Sequence, residues 1–195
     1  TNCECPTAAP ATATPEATAE PVVTAAPVVE EAPVEAAELK TGLYIGAGVG
    51  DSKSAAADAN GEAKYDVTVV AVTVDAAGVI DSCIIDSIPA TVSFDHTGAI
   101  TSDYLEPVIT KNELGADYGM VSWGGAIAEW DQQVAALCSY AVGKTVTELK
   151  TGAIDETGYA PDGSDLASSA SIYLGGYVSA IEAAVQNAIH LGAMA

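Results

Sequence analysis

The sequence predicts an α+β fold, with a curved antiparallel sheet, helices packed on one face of it, and an extended N-terminal tail before it. Three observations lead to this prediction. Runs of β-branched residues, separated by turn residues, fill most of residues 41–94. Two later stretches repeat apolar residues at three- and four-residue steps, which is helical periodicity. The first forty residues are almost entirely Ala, Pro, Thr, Val and Glu, a composition that cannot build a core.

The predicted strands form one antiparallel meander. Residues 41–50 combine β-prone residues with glycines, and residues 65–75 form the clearest strand of the chain. The residues between them, 51–64, are rich in Ala, Asp, Asn and Gly and are predicted to form a surface loop. The turn Asp75-Ala-Ala-Gly78 leads into a partner strand at residues 79–86. A further strand at residues 90–94 ends at the turn Asp95-His-Thr-Gly98.

The predicted helices follow the strands. Residues 102–110 form a short, weak helix that Pro107 interrupts. A strong helix is predicted over residues 125–142, ended by Gly143, and a short helical turn over 146–149. Residues 155–163 are predicted as a loop, and a last helix covers residues 176–191. The apolar stripe of the strong helix consists of Ile127, Trp130, Val134, Leu137, Cys138 and Ala141.

Length and charge limit the possible functions. Residues 1–39 are predicted as a tail or assembly arm, and residues 40–195, about 155 residues, as a single domain. The net charge is −21 and there is no arginine, so nucleic acid and anionic membrane surfaces would be repelled. No apolar run approaches the roughly 20 residues of a membrane-spanning helix. Such acidity is typical of an extracellular or cell-surface protein, although solubility alone explains it equally well.

The tail carries two cysteines and two pairs of valines. Cys3 and Cys5 are separated by one residue with no histidine nearby, which is poor spacing for zinc and for a mutual bridge. Links to other chains fit these cysteines better, and two free thiols are the alternative. The valine pairs are short β-capable segments suited to adding a strand to the sheet edge of another subunit. They comprise Val22 and Val23, and Val28 and Val29.

The remaining cysteines and the histidines give no definite site. Cys83 lies in a predicted strand and Cys138 in a predicted helix, so they are either bridged to each other or inert core thiols. His96 and His190 have no cysteine or carboxylate at metal-ligand spacing and are expected to be surface or capping residues. Phosphate-loop, dinucleotide, zinc-protease and serine-hydrolase motifs are absent. The sequence therefore predicts a protein that is not an enzyme and has no metal site.

One segment resembles a known family. The run Asp165-Leu-Ala-Ser-Ser-Ala-Ser171, followed by a predicted helix, is similar to the end of bacterial FMN-binding domains. In that family an Asp-x-x-Ser-Gly-Ala-Thr motif precedes the terminal helix, and a separate flavin transferase attaches FMN to its Thr hydroxyl through a phosphoester bond. The order of elements extends the resemblance over about residues 39–188, with Trp123-Gly-Gly-Ala-Ile127 in the place of the family's glycine-containing loop.

The resemblance implies an FMN site in this segment. Ser171 takes the place of the acceptor threonine, and Ser169 that of the motif glycine. Asp165 and Ser168 match the first and fourth motif positions, so all four residues are implied to bind FMN. Nearby aromatic side chains would either stack on the isoalloxazine ring or pack in the core. These aromatic residues are Trp123, Trp130, Tyr173 and Tyr177.

Two functions follow from these observations. The first is an exported structural subunit of a surface assembly or filament, a homopolymer in which the tail of one subunit lies on the next. In it, residues 1–39 are ordered only in the assembly, through strand addition around residues 22–29 and a disulfide at Cys3 or Cys5. The second is a cell-surface flavoprotein that carries electrons on FMN attached to Ser171. A solute-binding or adhesive domain is a third possibility that no motif supports.

Overall fold

The computed structural model of the chain describes residues 38–103 and 106–189, and residues 1–37 of the predicted tail lie outside these ranges. Three strands form a curved antiparallel sheet in the order β1-β2-β3 that does not close into a barrel. The strands are β1 (Lys40–Val49), β2 (Gly61–Val74) and β3 (Ile80–Phe94). The helices in the described part of the chain are α1 (Lys111–Leu114), α2 (Met120–Gly124), α3 (Trp130–Ala141), α4 (Val146–Ala153) and α5 (Gly175–Gln186). The predicted α+β fold is therefore confirmed.

One face of the sheet packs against the helices. Tyr44, Val70 and Ile85 are paired across the three strands, and every second residue from them points the same way. This inner face meets α3 and α5, whose apolar residues complete the core. The most buried core side chains are Val70, Val72, Ile80, Ile85, Val134, Leu137, Leu149, Leu174, Val178 and Ile181.

Three turns share one aspartate-based design. Asp75 and Asp95 close the two predicted turns, and Asp155 closes a third. In each turn the carboxylate Oδ1 accepts hydrogen bonds from the amides two and four residues later. The glycine three residues after each aspartate has a φ of 80–87°, which disfavours other residues there. Hydrogen bonds from threonine hydroxyls, together with the turn amides, lower the pKa of Asp95 and Asp155.

Two of the strands, β2 and β3, are longer than the sequence predicts. Residues 79–86 and 90–94 were expected to be separate strands, but β3 is continuous and passes through Pro89. Along β3 the main-chain N–H and C=O groups of every second residue point the same way. Those of Ile85 point away from β2 to the sheet edge, and so does the main chain of Pro89, four residues later, which is why proline is tolerated there. A missing N–H at Pro89 therefore removes no bond to β2. The predicted loop 51–64 is also too long, since β2 begins at Gly61, opposite Phe94.

Helix boundaries differ from the prediction because of caps. The helix expected over residues 102–110 is wrong in the described part of that segment, because the first helix, α1, begins only after Thr110. Thr110 Oγ1 accepts the Glu113 amide at 3.2 Å, and the Glu113 carboxylate accepts the Thr110 amide at 3.0 Å. The helix expected over 125–142 begins at Trp130, since Gly125 has a φ of 64° and ends α2.

The last two helices also have shifted ends. The turn predicted over 146–149 continues to residue 153 as α4, capped by Thr145 and Glu148. The helix predicted over 176–191 is α5, which begins at Gly175 and ends at Gln186. Among the described residues, no helix combines the length and apolar character that crossing a membrane requires.

Candidate functional site

The face of the sheet turned away from the helices is apolar and open. By strand alternation it carries residues of odd number in β1 and β2 and, from Ser82 onward, of even number in β3. A register shift between Thr73 and Val74 turns Ile80 to the core. Ile45, Val49 and Ile84 are 62%, 73% and 61% exposed. Among the outward-facing residues from Thr41 to Val49 and their partners on β2 and β3, Asp86 is the one charged residue. We call this surface the outer face, formed by Leu43, Ile45, Val49, Tyr65, Val67, Val69, Ala71, Ile84 and Ile88.

The edge of β1 next to the outer face is only partly covered. Thr41 exchanges two main-chain hydrogen bonds of 3.1 Å with Ile189, and the Leu43 carbonyl accepts one from the Asn187 side chain at 3.2 Å. These bonds establish that odd-numbered residues of β1 direct their N–H and C=O groups away from β2. The same groups of residues 45, 47 and 49 face this edge, and within the described ranges no strand pairs with them. This free stretch, residues 45–49, is an exposed strand edge.

The four residues predicted to bind FMN lie together in one exposed loop. Asp165 precedes a short 3₁₀ turn, Leu166–Ser168, in which the Ser168 hydroxyl donates to the Asp165 carbonyl at 2.6 Å. Ser169 has a φ of −118°, so serine replaces the motif glycine without strain. The side chain of Ser171 is exposed, as are those of the other three predicted residues. The loop is anchored by the buried Leu166 and Ala170.

Gln133, which the sequence analysis did not single out, holds this loop. Its side chain, on α3, is fully buried, and Oε1 accepts hydrogen bonds from the amides of Ser171 and Ile172 at 2.8 and 3.1 Å. The Ser171 hydroxyl lies 3.4 Å from the same oxygen. Gln133 Nε2 donates to the Ala128 carbonyl at 2.7 Å. One buried amide therefore fixes the loop and leaves the Ser171 hydroxyl accessible to solvent.

A groove of about 420 Å³ lies between α5 and the inner face of β1 and β2. Tyr44, Tyr173 and Tyr177 line it together with small residues of β1 and α5. Glycine is required on this face where β1 approaches α5, because a Cβ at Gly42 would collide with the Ala184 carbonyl oxygen. One of its lining residues, Tyr173, lies two residues after Ser171 in the chain, and the tyrosines offer aromatic surface to a planar ligand.

Of the four predicted stacking aromatics, two line this groove and two do not. Tyr173 and Tyr177 line it. Trp130 is buried, and its Nε1 donates to the Tyr177 hydroxyl at 2.9 Å with the rings edge to face. Trp123 is 91% exposed, on α2. The core-packing alternative thus holds for Trp130.

A buried lysine, also missed from the sequence, lies behind the groove. Lys111 Nζ lies 3.1 Å from a carboxylate oxygen of Asp66 and 5.2 Å from the ring centres of Tyr118 and Trp130. Burial lowers the pKa of Lys111, but Asp66 and Tyr118 together raise it by more, so the net shift is upward. Lys111 therefore stays a cation and fixes the start of α1 against β2.

The two domain cysteines meet at a second groove, of about 500 Å³, between the edge of β3 and α3. Cys83 points from β3 to the inner face and is half-buried, and Cys138 on α3 is buried. Both are free thiols, and each shifts the pKa of the other, upward for Cys83 and downward for Cys138. Asp81, Asn112 and Asp131 also line this groove.

Several predicted residues fall outside the described ranges. These are the tail residues Cys3, Cys5, Val22, Val23, Val28 and Val29, and also His190. His96 is exposed in the turn closed by Asp95. In the described part of the chain, no three His, Cys, Asp or Glu side chains are grouped as metal ligands would be.

Comparisons of the chain with protein-family models, with curated proteins and with solved structures find no match.

Proposed function

We propose that this chain is an exported structural subunit, without enzymatic activity, of an extracellular or cell-surface assembly that polymerises through its N-terminal tail. The observation that carries the proposal is the outer face together with the free edge of β1. A sheet face with five exposed large apolar side chains is a surface that needs covering in water. The exposed members are Leu43, Ile45, Val49, Tyr65 and Ile84.

The occupant we propose is residues 21–29 of a second copy of the chain, added as a strand to the β1 edge. The free N–H and C=O groups of residues 45–49 supply the main-chain bonds that strand addition uses. Alternate side chains of the added strand would extend the outer face beside Ile45 and Val49, where valine fits. Pro21 and Pro27 are tolerated because the added strand is itself an edge. Cys3 or Cys5 would then link neighbouring subunits covalently.

Charge supports contact at this surface rather than elsewhere. Each chain carries a net charge of −21, so two copies repel each other over most approaches. Among the strand positions from Thr41 to Val49 and their partners, the outer face holds only Asp86, which turns to the edge of β3, where its Oδ1 accepts the Asn112 amide at 3.2 Å. Asp81 lies at the end of this face, where its Oδ2 accepts the Thr73 hydroxyl at 3.0 Å. Copies therefore meet with least repulsion at the outer face. Assembly is expected to strengthen as salt screens the remaining charge.

Removal of the tail, or a charge on the acceptor surface, is expected to abolish assembly. The full chain should form multimers in multi-angle light scattering, while deletion of residues 1–39 and the variant Ile45→Lys should each give monomers. Ile127→Lys, at a similarly exposed apolar residue in the loop before α3, is the matched control and should still assemble. Multimers of unchanged mass after tail deletion would contradict the proposal, as would a monomeric full chain.

Mixing the two defective chains separates exchange between subunits from a tail that folds back on its own domain. The deleted chain keeps an acceptor without a donor, and Ile45→Lys keeps a donor without an acceptor. Together they should form a one-to-one complex. If both stay monomeric in the mixture, the tail does not bind a neighbouring copy.

A second candidate function is electron transfer by FMN attached at Ser171. It is favoured by the exposed Ser171, which Gln133 positions, and by the tyrosine-lined groove to which Tyr173, two residues further along the chain, contributes. The phosphate would be esterified to Ser171, with Asp165, Ser168 and Ser169 in the surrounding loop. Tyr44, Tyr173 and Tyr177 would contact the ring.

Measurements on native protein purified from its source cells test whether FMN is attached to Ser171. If Ser171 carries FMN, intact-mass spectrometry should give the added mass of one FMN phosphoester, and the protein should show the visible absorbance of a flavin. Ser171→Ala should lose both signals, whereas Ser54→Ala, at an exposed serine between β1 and β2, should keep them. Unmodified native mass without flavin absorbance would exclude covalent FMN and leave the structural proposal intact.

A further inference from the structure

The two domain cysteines are placed for reaction with each other. Cys83 lies on the edge strand β3 and Cys138 on α3, and both residues line the groove of about 500 Å³ between these elements. Both are free thiols, and α3 packs against β3 where they lie. The groove opens to solvent and is lined mainly by apolar side chains such as Val134 and Val142. A small reagent that enters this groove can therefore reach both cysteines.

The two thiols differ in reactivity. Cys138 accepts hydrogen bonds from the Cys83 thiol and from the Ile85 amide, and these lower the pKa of Cys138 despite its burial. The neighbouring Cys138 side chain and, to a smaller extent, burial raise the pKa of Cys83. Cys138 is thus the first of the two to become a thiolate, and the thiolate is the attacking species in disulfide exchange.

The charge of the groove selects the reagent. Asp81 and Asp131 line the groove beside the thiols, and one carboxylate oxygen of Asp131 is buried without a hydrogen-bond partner. These carboxylates, on a chain of net charge −21, repel anionic oxidants such as oxidised glutathione. They attract small cationic disulfides such as cystamine, which the groove volume also accommodates.

We propose that Cys83 and Cys138 form an intrachain disulfide by exchange with a small, non-anionic disulfide that enters this groove. The Cys138 thiolate attacks one sulfur of the reagent, forms a mixed disulfide and releases one small thiol. Cys83 then loses its proton and attacks the Cys138 sulfur, which releases the second small thiol. Two protein thiols are oxidised to one disulfide, and one reagent disulfide is reduced to two thiols.

This disulfide would tie the edge strand to the helix that holds the Ser171 loop. Cys138 lies in the helix that also carries Gln133. The bond would close the chain from residue 83 to residue 138, a segment that includes α1 and α2. A cross-link here stabilises the fold and leaves the outer face and the β1 edge untouched. The inference therefore does not depend on the proposed assembly.

Trypsin separates the relevant cysteines without further engineering. The chain has six lysines and no arginine, so cleavage places Cys83 on residues 65–111 and Cys138 on residues 112–144. Cys3 and Cys5 both fall on residues 1–40. The folded full chain is treated with cystamine, blocked with iodoacetamide, digested without reduction and analysed by mass spectrometry. The expected product is peptide 65–111 linked to peptide 112–144, and reduction should separate the two.

Variants and a second reagent test the mechanism. In Cys83→Ser, Cys138 should remain as the mixed disulfide with cysteamine, and in Cys138→Ser no link to residues 65–111 should form. Cystamine should act at least tenfold faster than oxidised glutathione at low salt, and the difference should shrink at high salt. Alkylated, unlinked Cys83 and Cys138 after treatment of the folded chain would overturn the proposal. Links that mainly join peptide 1–40 to Cys83 or Cys138, or equal rates for the two reagents, would also overturn it.

Discussion

Replacement of Gln133 by leucine is expected to lower the free energy of unfolding by about 2–4 kcal/mol. Leucine fills a similar volume but offers no polar atom. The amides of Ser171 and Ile172 and the carbonyl of Ala128 would each lose their partner at a fully buried side chain. A part-buried main-chain group left without a hydrogen bond costs about 1–3 kcal/mol, so the combined loss exceeds that of an ordinary surface substitution.

Urea unfolding followed by circular dichroism measures this effect. Gln186→Leu, at an exposed glutamine in the last turn of α5, is the matched control and should change stability by less than about 0.5 kcal/mol. Gln133→Glu retains the acceptor oxygens but buries a charge and loses the donor to Ala128, so it should also destabilise. Equal stability of Gln133→Leu and Gln186→Leu would show that the hydrogen bonds of Gln133 contribute nothing.

Hydrogen exchange tests whether the effect is local to the predicted acceptor loop. In the Gln133→Leu variant the amides of Ser171 and Ile172 should exchange faster than expected from the global stability change. The amides of β2, such as Val70, should follow the global change alone. If Ser171 carries FMN in the native protein, the same variant should also reduce its attachment, because the loop loses its anchor.

The parts of the fold that were predicted correctly depend on local patterns. The β-branched run of β2 and the turns closed by Asp75 and Asp95 are determined by residues within a few positions, and both are as predicted. Helix starts were missed where a cap decides the boundary, as at Thr110. The short motif containing Glu113 was present in the sequence and could have placed that start.

The site residues that were missed depend on distant contacts. Nothing near Gln133 indicates that its amide will meet Ser171, because the fold, and no local pattern, brings α3 to that loop. For Cys83 and Cys138 the sequence left a mutual bridge and inert core thiols as alternatives, because only the fold places both residues at one groove. The outer face did have a sequence signal. In β2 the apolar residues do not alternate with polar ones, since Val69 and Val70 are both apolar, a pattern typical of strands covered on both faces.

Gly42→Ala is expected to cost about 2–4 kcal/mol of stability, which is unusual for the addition of one methyl group. A Cβ at this position would overlap the main-chain oxygen of Ala184 in α5 and come within 3.2 Å of the Ala188 side chain. A main-chain atom in a packed helix cannot move aside as a flexible side chain would. The methyl group must therefore push β1 and α5 apart, and the core around Ile181 opens with them.

Gly48→Ala is the matched control for this prediction. Gly48 lies on the same face of the same strand, and a Cβ there would meet no atom within 4 Å. It should leave stability unchanged or raise it by up to about 1 kcal/mol, because alanine restricts the unfolded chain more than glycine does. Both changes add one methyl group to β1. The difference between the two variants in free energy of unfolding, measured by thermal and urea unfolding, therefore gives the cost of the steric overlap with α5. If Gly42→Ala proved as stable as Gly48→Ala, α5 would not lie against β1 at this distance, and the tyrosine-lined groove between them would have a different shape.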